Sequence, residues 1–79
     1  MKVAAMAEAF NLPVVNHIMP EIHAHLVAAC PNGLTVEYML WMRRLFEETP
    51  RPEKGALVLP HGPGLGLRFD EKAVAAFRA

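Results

Sequence analysis

The sequence predicts an α/β fold organised around one βαβ unit, on three observations. "LPVVNH" at 12–17 is a β-branched apolar run without alternation, the pattern of a short strand buried on both faces of a parallel sheet. Pro20 then stands where a helix would begin, with Ile22, Leu26, Ala29 and Cys30 along one face to about residue 30. "LTVEY" at 34–38 is a second short strand, and a single crossover helix between the two makes them parallel.

The remaining elements follow in chain order. Val3, Met6, Ala7 and Phe10 recur at helical spacing, so the first ten residues form an amphipathic helix. It has no Ser, Thr, Asp or Asn to cap it, and Lys2 sits at the end where the helix dipole disfavours a cation. It therefore reads as the second half of a longer helix, stopped at Asn11. "PNG" at 31–33 ends the crossover helix. "WMRRLFEE" at 41–48 predicts a brief helix whose Arg43–Glu47 and Arg44–Glu48 pairs form a solvated face, with Trp41 as a core anchor. "TPRPEKG" reads as a proline-rich turn or linker, and "ALVLP" and "LGLRF" as short strands around the glycines of "HGPGLG". Asp70 caps a last helix, with Phe69 and Val74 placed as a hydrophobic staple.

Composition narrows the function. A chain of 79 residues holds one domain at most and buries only about 60% of its unfolded surface. Eight basic and eight acidic residues cancel, so no basic field exists to attract nucleic acid or anionic lipid. No apolar run approaches the roughly 18 residues of a membrane span. The single cysteine, Cys30, excludes an intrachain disulfide and reads as a buried structural thiol in a reducing compartment. Together these predict a soluble, cytoplasmic protein with no nucleic-acid or membrane partner. The glycines of "HGPGLG" do not follow the spacing of a phosphate-binding loop, and His61 among them is read as exposed.

The chemistry concentrates at the strand ends. His17 closes the first strand and Glu37 the second, which places both at the carboxyl edge of neighbouring parallel strands, about 4.8 Å apart. Parallel α/β folds carry their active sites at that edge. Two readings fit this placement: a catalytic pair, or strands that merely end in polar residues. An imidazole can take up and return a proton near neutral pH. A desolvated, protonated Glu37 could donate to negative charge developing on a substrate oxygen. Glu21 and His25 share a helix face and His23 points elsewhere, so a polar helix face is a better reading of "PEIHAHL" than a zinc site shared with His17, which lacks a fourth ligand.

"HIMPEIHAHLVAACPNGLTVEYMLW" resembles the seventh and eighth barrel strands of the mandelate racemase group of the enolase superfamily, and "GALVLPHGPGLGLRFDEKAVAAFR" resembles the C-terminal segment of the same enzymes. The resemblance covers essentially the whole chain, with His17, "EIHAHL" and Glu37 in matching register. It implies a C-terminal fragment of a TIM-type (β/α) barrel: residues 1–49 as the last βα units, with strands near 13–17 and 34–38, and residues 50–79 as a tail returning toward the capping domain. It further implies Mg²⁺-dependent abstraction of the α-proton of a hydroxy or sugar acid, in a dehydratase or racemase. His17 would be the base and Glu37 a hydrogen-bond donor to the substrate carboxylate. The acidic Mg²⁺ ligands, the aspartate that orients the base and the lysine of the second strand lie on other strands and are absent here. A complete barrel takes about 250 residues, so the chain alone is expected to be inactive, dependent on the rest of the barrel or on further copies of itself. The rival expectation is a small non-catalytic α/β module that self-associates through its apolar surface and open strand edges.

Overall fold

The computed structural model describes all 79 residues. Helix α1 (Lys2–Ala9) leads into strand β1 (Val14–Val15), crossover helix α2 (Pro20–Ala28) and strand β2 (Gly33–Thr35). A single 3-10 turn (Arg43–Leu45), strand β3 (Arg51–Glu53), strand β4 (Ala56–Val58) and helix α3 (Glu71–Phe77) follow. β1 and β2 pair in parallel, Val14 with Gly33 and Val15 with Thr35, with one irregularity in register between them. The expected βαβ unit is therefore present, with shorter strands: His17 and Glu37 each lie two residues beyond a strand end.

Local chemistry explains the element ends. Asn11, at φ 56°, takes the left-handed position that stops α1, and its N–H donates to Glu8 O. Pro20 occupies the first turn of α2, where its lost N–H has no intrahelical partner to forfeit. Asp70 Oδ1 accepts from the N–H groups of Lys72 (3.0 Å) and Ala73 (3.1 Å), capping α3 as expected. Gly33 is required where α2 meets β2, since a Cβ there would lie 2.2 Å from Val27 O.

Several expectations are corrected. The "TPRPEKG" segment is not a linker: Arg51–Glu53 forms β3, which pairs antiparallel with β4. Lys54 and Gly55, at φ 49° and 80°, make the tight two-residue turn between them. "LGLRF" contributes only one bridge, Phe69 opposite Phe46, with the two rings stacked at 5.1 Å. The expected helix at 41–48 shrinks to one 3-10 turn, so the Arg43–Glu47 and Arg44–Glu48 pairs do not form. Glu47 instead meets Arg68 at 3.5 Å, across the same bridge.

The largest departure is in burial. Only Pro20, Glu21, Ala24, Thr49, Pro50 and Pro60 are buried. Strands expected to be buried on both faces expose Val15 and Leu34. The apolar stripe of α1 faces outward, with Phe10 76% exposed, and Trp41 is 74% exposed rather than a core anchor. Leu26 is exposed and Cys30 is partly so, its Sγ 3.9 Å from Met1 Sδ. The accessible surface is 6176 Å², whereas a compact chain of 8.7 kDa exposes about 4,700 Å². The periodicities are real, but the faces they mark are not covered by this chain.

Candidate active site

The carboxyl ends of β1 and β2 carry a connected polar network. His17 Nδ1 lies 3.2 Å from Glu37 Oε2. The same oxygen accepts the Ile18 N–H at 2.5 Å. Of the two neutral tautomers, the one protonated at the nitrogen facing the carboxylate oxygen suits this contact, and in it Nε2 carries the free lone pair. The pair that the sequence placed at one edge is thus in direct contact.

The surroundings of Glu37 differ from those expected. Its Oε2 is an acceptor engaged by two donors, and its side chain is 38% exposed, not sealed among apolar neighbours. Its position beside Nδ1 lets it hold the imidazole in one orientation, a task that the resemblance assigns to an aspartate outside the chain. The His17 side chain is 86% exposed, so Glu37 is what fixes it.

Asn16 is the residue that sequence reasoning missed. Its Oδ1 accepts the Glu37 N–H at 2.7 Å, and its Nδ2 donates to Ile18 O at 2.8 Å and lies 3.5 Å from Glu37 O. The signal available was an asparagine one residue before a strand-end histidine, which carries meaning only once the register of the two strands is known. His23 joins the same cluster: its Nδ1 donates to Ile18 O at 2.9 Å. Ile18 (φ 45°) and Met19 (φ 51°) are both left-handed, although neither is glycine and Ile18 is β-branched. Such residues cost about 1–2 kcal/mol each and persist where surroundings over-determine them. Here Ile18 is fixed through both its N–H and its carbonyl.

The other histidines separate from this site. His25 Nε2 contacts Leu65 O at 3.1 Å, tying the tail to α2, and His61 is exposed. Glu21 is no solvated helix-face residue: it is 2% exposed, with Oε2 unpartnered. No group of three or more His, Cys, Asp or Glu side chains converges to hold a metal ion, so neither the zinc arrangement nor a Mg²⁺ site is built from these residues.

A parallel strand pair joined by one crossover helix, with an oriented histidine at its carboxyl edge, is a piece of a β/α fold. Residues 1–73 match the family model described as Enolase C-terminal domain-like. The chain belongs to this family. Among curated relatives of this enolase-type domain, D-xylonate dehydratase of Haloferax volcanii is 36% identical over 95% of the chain, and D-gluconate dehydratase of Thermoproteus tenax is 30% identical over 100%. The chain spans 20% and 18% of their lengths. Among solved structures, L-talarate dehydratase from Polaromonas sp. JS666, complexed with Mg and L-glucarate, superposes with TM-score 0.85 at 36% identity over 99% of this chain and 22% of that one. A Bradyrhizobium enolase complexed with magnesium and mandelic acid gives 0.84 at 33% identity over 98% and 21%. The chain thus corresponds to about a fifth of these enolase-superfamily enzymes.

Proposed function

We propose that this chain supplies the acid–base edge of a sugar-acid dehydratase: His17 removes the proton α to the substrate carboxylate, and Glu37 holds the imidazole in the tautomer that can accept it. The observation that carries this reading is the 3.2 Å contact between His17 Nδ1 and Glu37 Oε2 at the carboxyl ends of parallel strands. The dehydratase names of the relatives support dehydration over racemisation.

The residues act as follows. The Cα–H bond breaks and its proton passes to Nε2 of His17, while the electron pair moves into the substrate carboxylate. Glu37 stabilises the imidazolium so formed. The imidazolium then returns that proton to the β-hydroxyl, which leaves as water as the Cβ–O bond breaks and the electron pair forms the Cα=Cβ bond, and the resulting enol rearranges to a 2-keto-3-deoxy acid. General-base assistance of this kind contributes about 10²–10⁴-fold. Mg²⁺, present in the solved relatives, belongs in this reading to ligands outside the chain, because its own side chains do not form a cation site.

The test is conversion of D-xylonate, D-gluconate or galactarate to 2-keto-3-deoxy product by the native protein isolated from its source. The remainder of the site is then supplied in the same polypeptide or by a partner. Product formation is expected, with a loss of at least about 10²-fold in His17→Asn, and none from the 79-residue chain alone. Undiminished turnover by His17→Asn sinks the proposal.

The outward-facing stripe of α1 and the roughly 1,400 Å² of surface beyond that of a compact chain favour a second reading, a non-catalytic module that self-associates. Sedimentation of the chain as a monomer across a wide concentration range would count against it.

A further inference from the structure

Asn16 stands between the last residue of β1 and His17, and its side chain continues the strand pairing beyond the backbone ladder. The β1–β2 register ends at Val15 and Thr35. One residue beyond β1 and two beyond β2, the Asn16 amide makes the next rung: Oδ1 accepts the Glu37 N–H at 2.7 Å, and Nδ2 donates to Ile18 O at 2.8 Å. On the far side of the same loop, the Ile18 N–H reaches Glu37 Oε2. The backbone of residue 37 is therefore gripped by Asn16, its carboxylate by Ile18, and Ile18 itself by Asn16 and His23.

We propose that Asn16 is the positioning residue of the site, holding Glu37 at the distance from which it orients His17. The assignment rests on the reading of His17 and Glu37 as the working pair. An asparagine suits the task because one planar side chain offers both an acceptor for the Glu37 N–H and a donor for the Ile18 carbonyl. Aspartate keeps only the acceptor, and alanine keeps neither. The consequence for His17 is direct. Its side chain is mostly in solvent, its one ion-pair partner is Glu37, and a displacement of that carboxylate releases the ring to rotate.

Nuclear magnetic resonance on the native protein, with its Asn, Glu and His residues labelled with ¹⁵N, tests this without substrate, so its outcome is separate from that of the turnover assay. In the wild type, the side-chain NH₂ protons of Asn16 and the Glu37 amide exchange with solvent more slowly than those of exposed Asn11. The His17 ring nitrogens report a single tautomer protonated at Nδ1. In Asn16→Ala the Glu37 amide exchanges about tenfold faster, and the His17 ring nitrogens move to the averaged values of a free imidazole, as they also do in Glu37→Gln. Asn16→Asp restores the protection of the Glu37 amide but supplies no donor to the Ile18 carbonyl. The proposal is overturned if Asn16→Ala leaves the Glu37 amide and the His17 ring unchanged. Should that variant not fold, a wild-type Asn16 side chain exchanging as fast as Asn11 overturns it equally. Undiminished turnover by His17→Asn, with these signatures intact in the wild type, would instead reject the catalytic reading and leave the positioning role standing.

Discussion

The strand-end edge, residues 14–18 with 33–37, and the tail, residues 46–79, are built by opposite means. The edge is secured by side chains reaching across 19–21 residues of sequence to backbone groups, with Ile18 left-handed to do so and Met19 left-handed just beyond it. The tail is held by a two-residue hairpin, one stacked pair of phenylalanines, a surface ion pair and a capped helix, each set by near neighbours or by a single bridge. The tail reaches the rest of the chain through Tyr38 Oη to Pro50 O and His25 Nε2 to Leu65 O. Polar precision is concentrated where the proposed chemistry lies, while large apolar faces on α1 and both short strands stay open.

Substitutions at the two regions should separate accordingly. The largest effect is expected from His17→Asn and Glu37→Gln, each of which should lower turnover of the native protein by about 10²–10⁴-fold through the base or its orientation. Circular dichroism should be unchanged in both. A comparable loss from any substitution in β3 or β4 would break the contrast.

Next comes Gly33→Ala, whose new methyl meets the Val27 carbonyl and must push α2 from β2. A loss of about 1–3 kcal/mol in denaturant unfolding is expected, with the hairpin amides unaffected. Asp70→Ala removes the acceptor for two N–H groups of α3 and should cost about 1 kcal/mol, read as fraying of residues 71–77 alone. Arg68→Ala should be nearly silent, below about 0.5 kcal/mol, because both partners of its pair with Glu47 are exposed.

What was legible in the sequence was what local chemistry decides. Pro20, Asn11 and Asp70 mark helix ends by mechanisms that act within a turn, and the structure places each as its residue type requires. The spacing of two apolar runs about one crossover helix was enough for the parallel pair, and hence for the contact of His17 with Glu37. β3 was hidden by Pro52 within it and Pro50 just before it. Pro52 pairs with Leu57, one position beyond the pair that flanks the tight turn, where an antiparallel ladder needs no N–H from it. Asn16 was hidden because its partners lie two and twenty-one residues away and are known only from register. Burial failed for a different reason. The repeat of Val3, Met6 and Phe10 announces an apolar face but cannot say which surface covers it, and none in this chain does.

The central claim, that His17 is the proton acceptor oriented by Glu37, is tested most directly by solvent deuterium. The native protein, incubated with D-gluconate in D₂O, should introduce deuterium at Cα of the recovered acid or leave its Cα proton in solvent water during conversion, and His17→Asn should do neither. Loss of the Cα proton at the wild-type rate in His17→Asn would contradict the account.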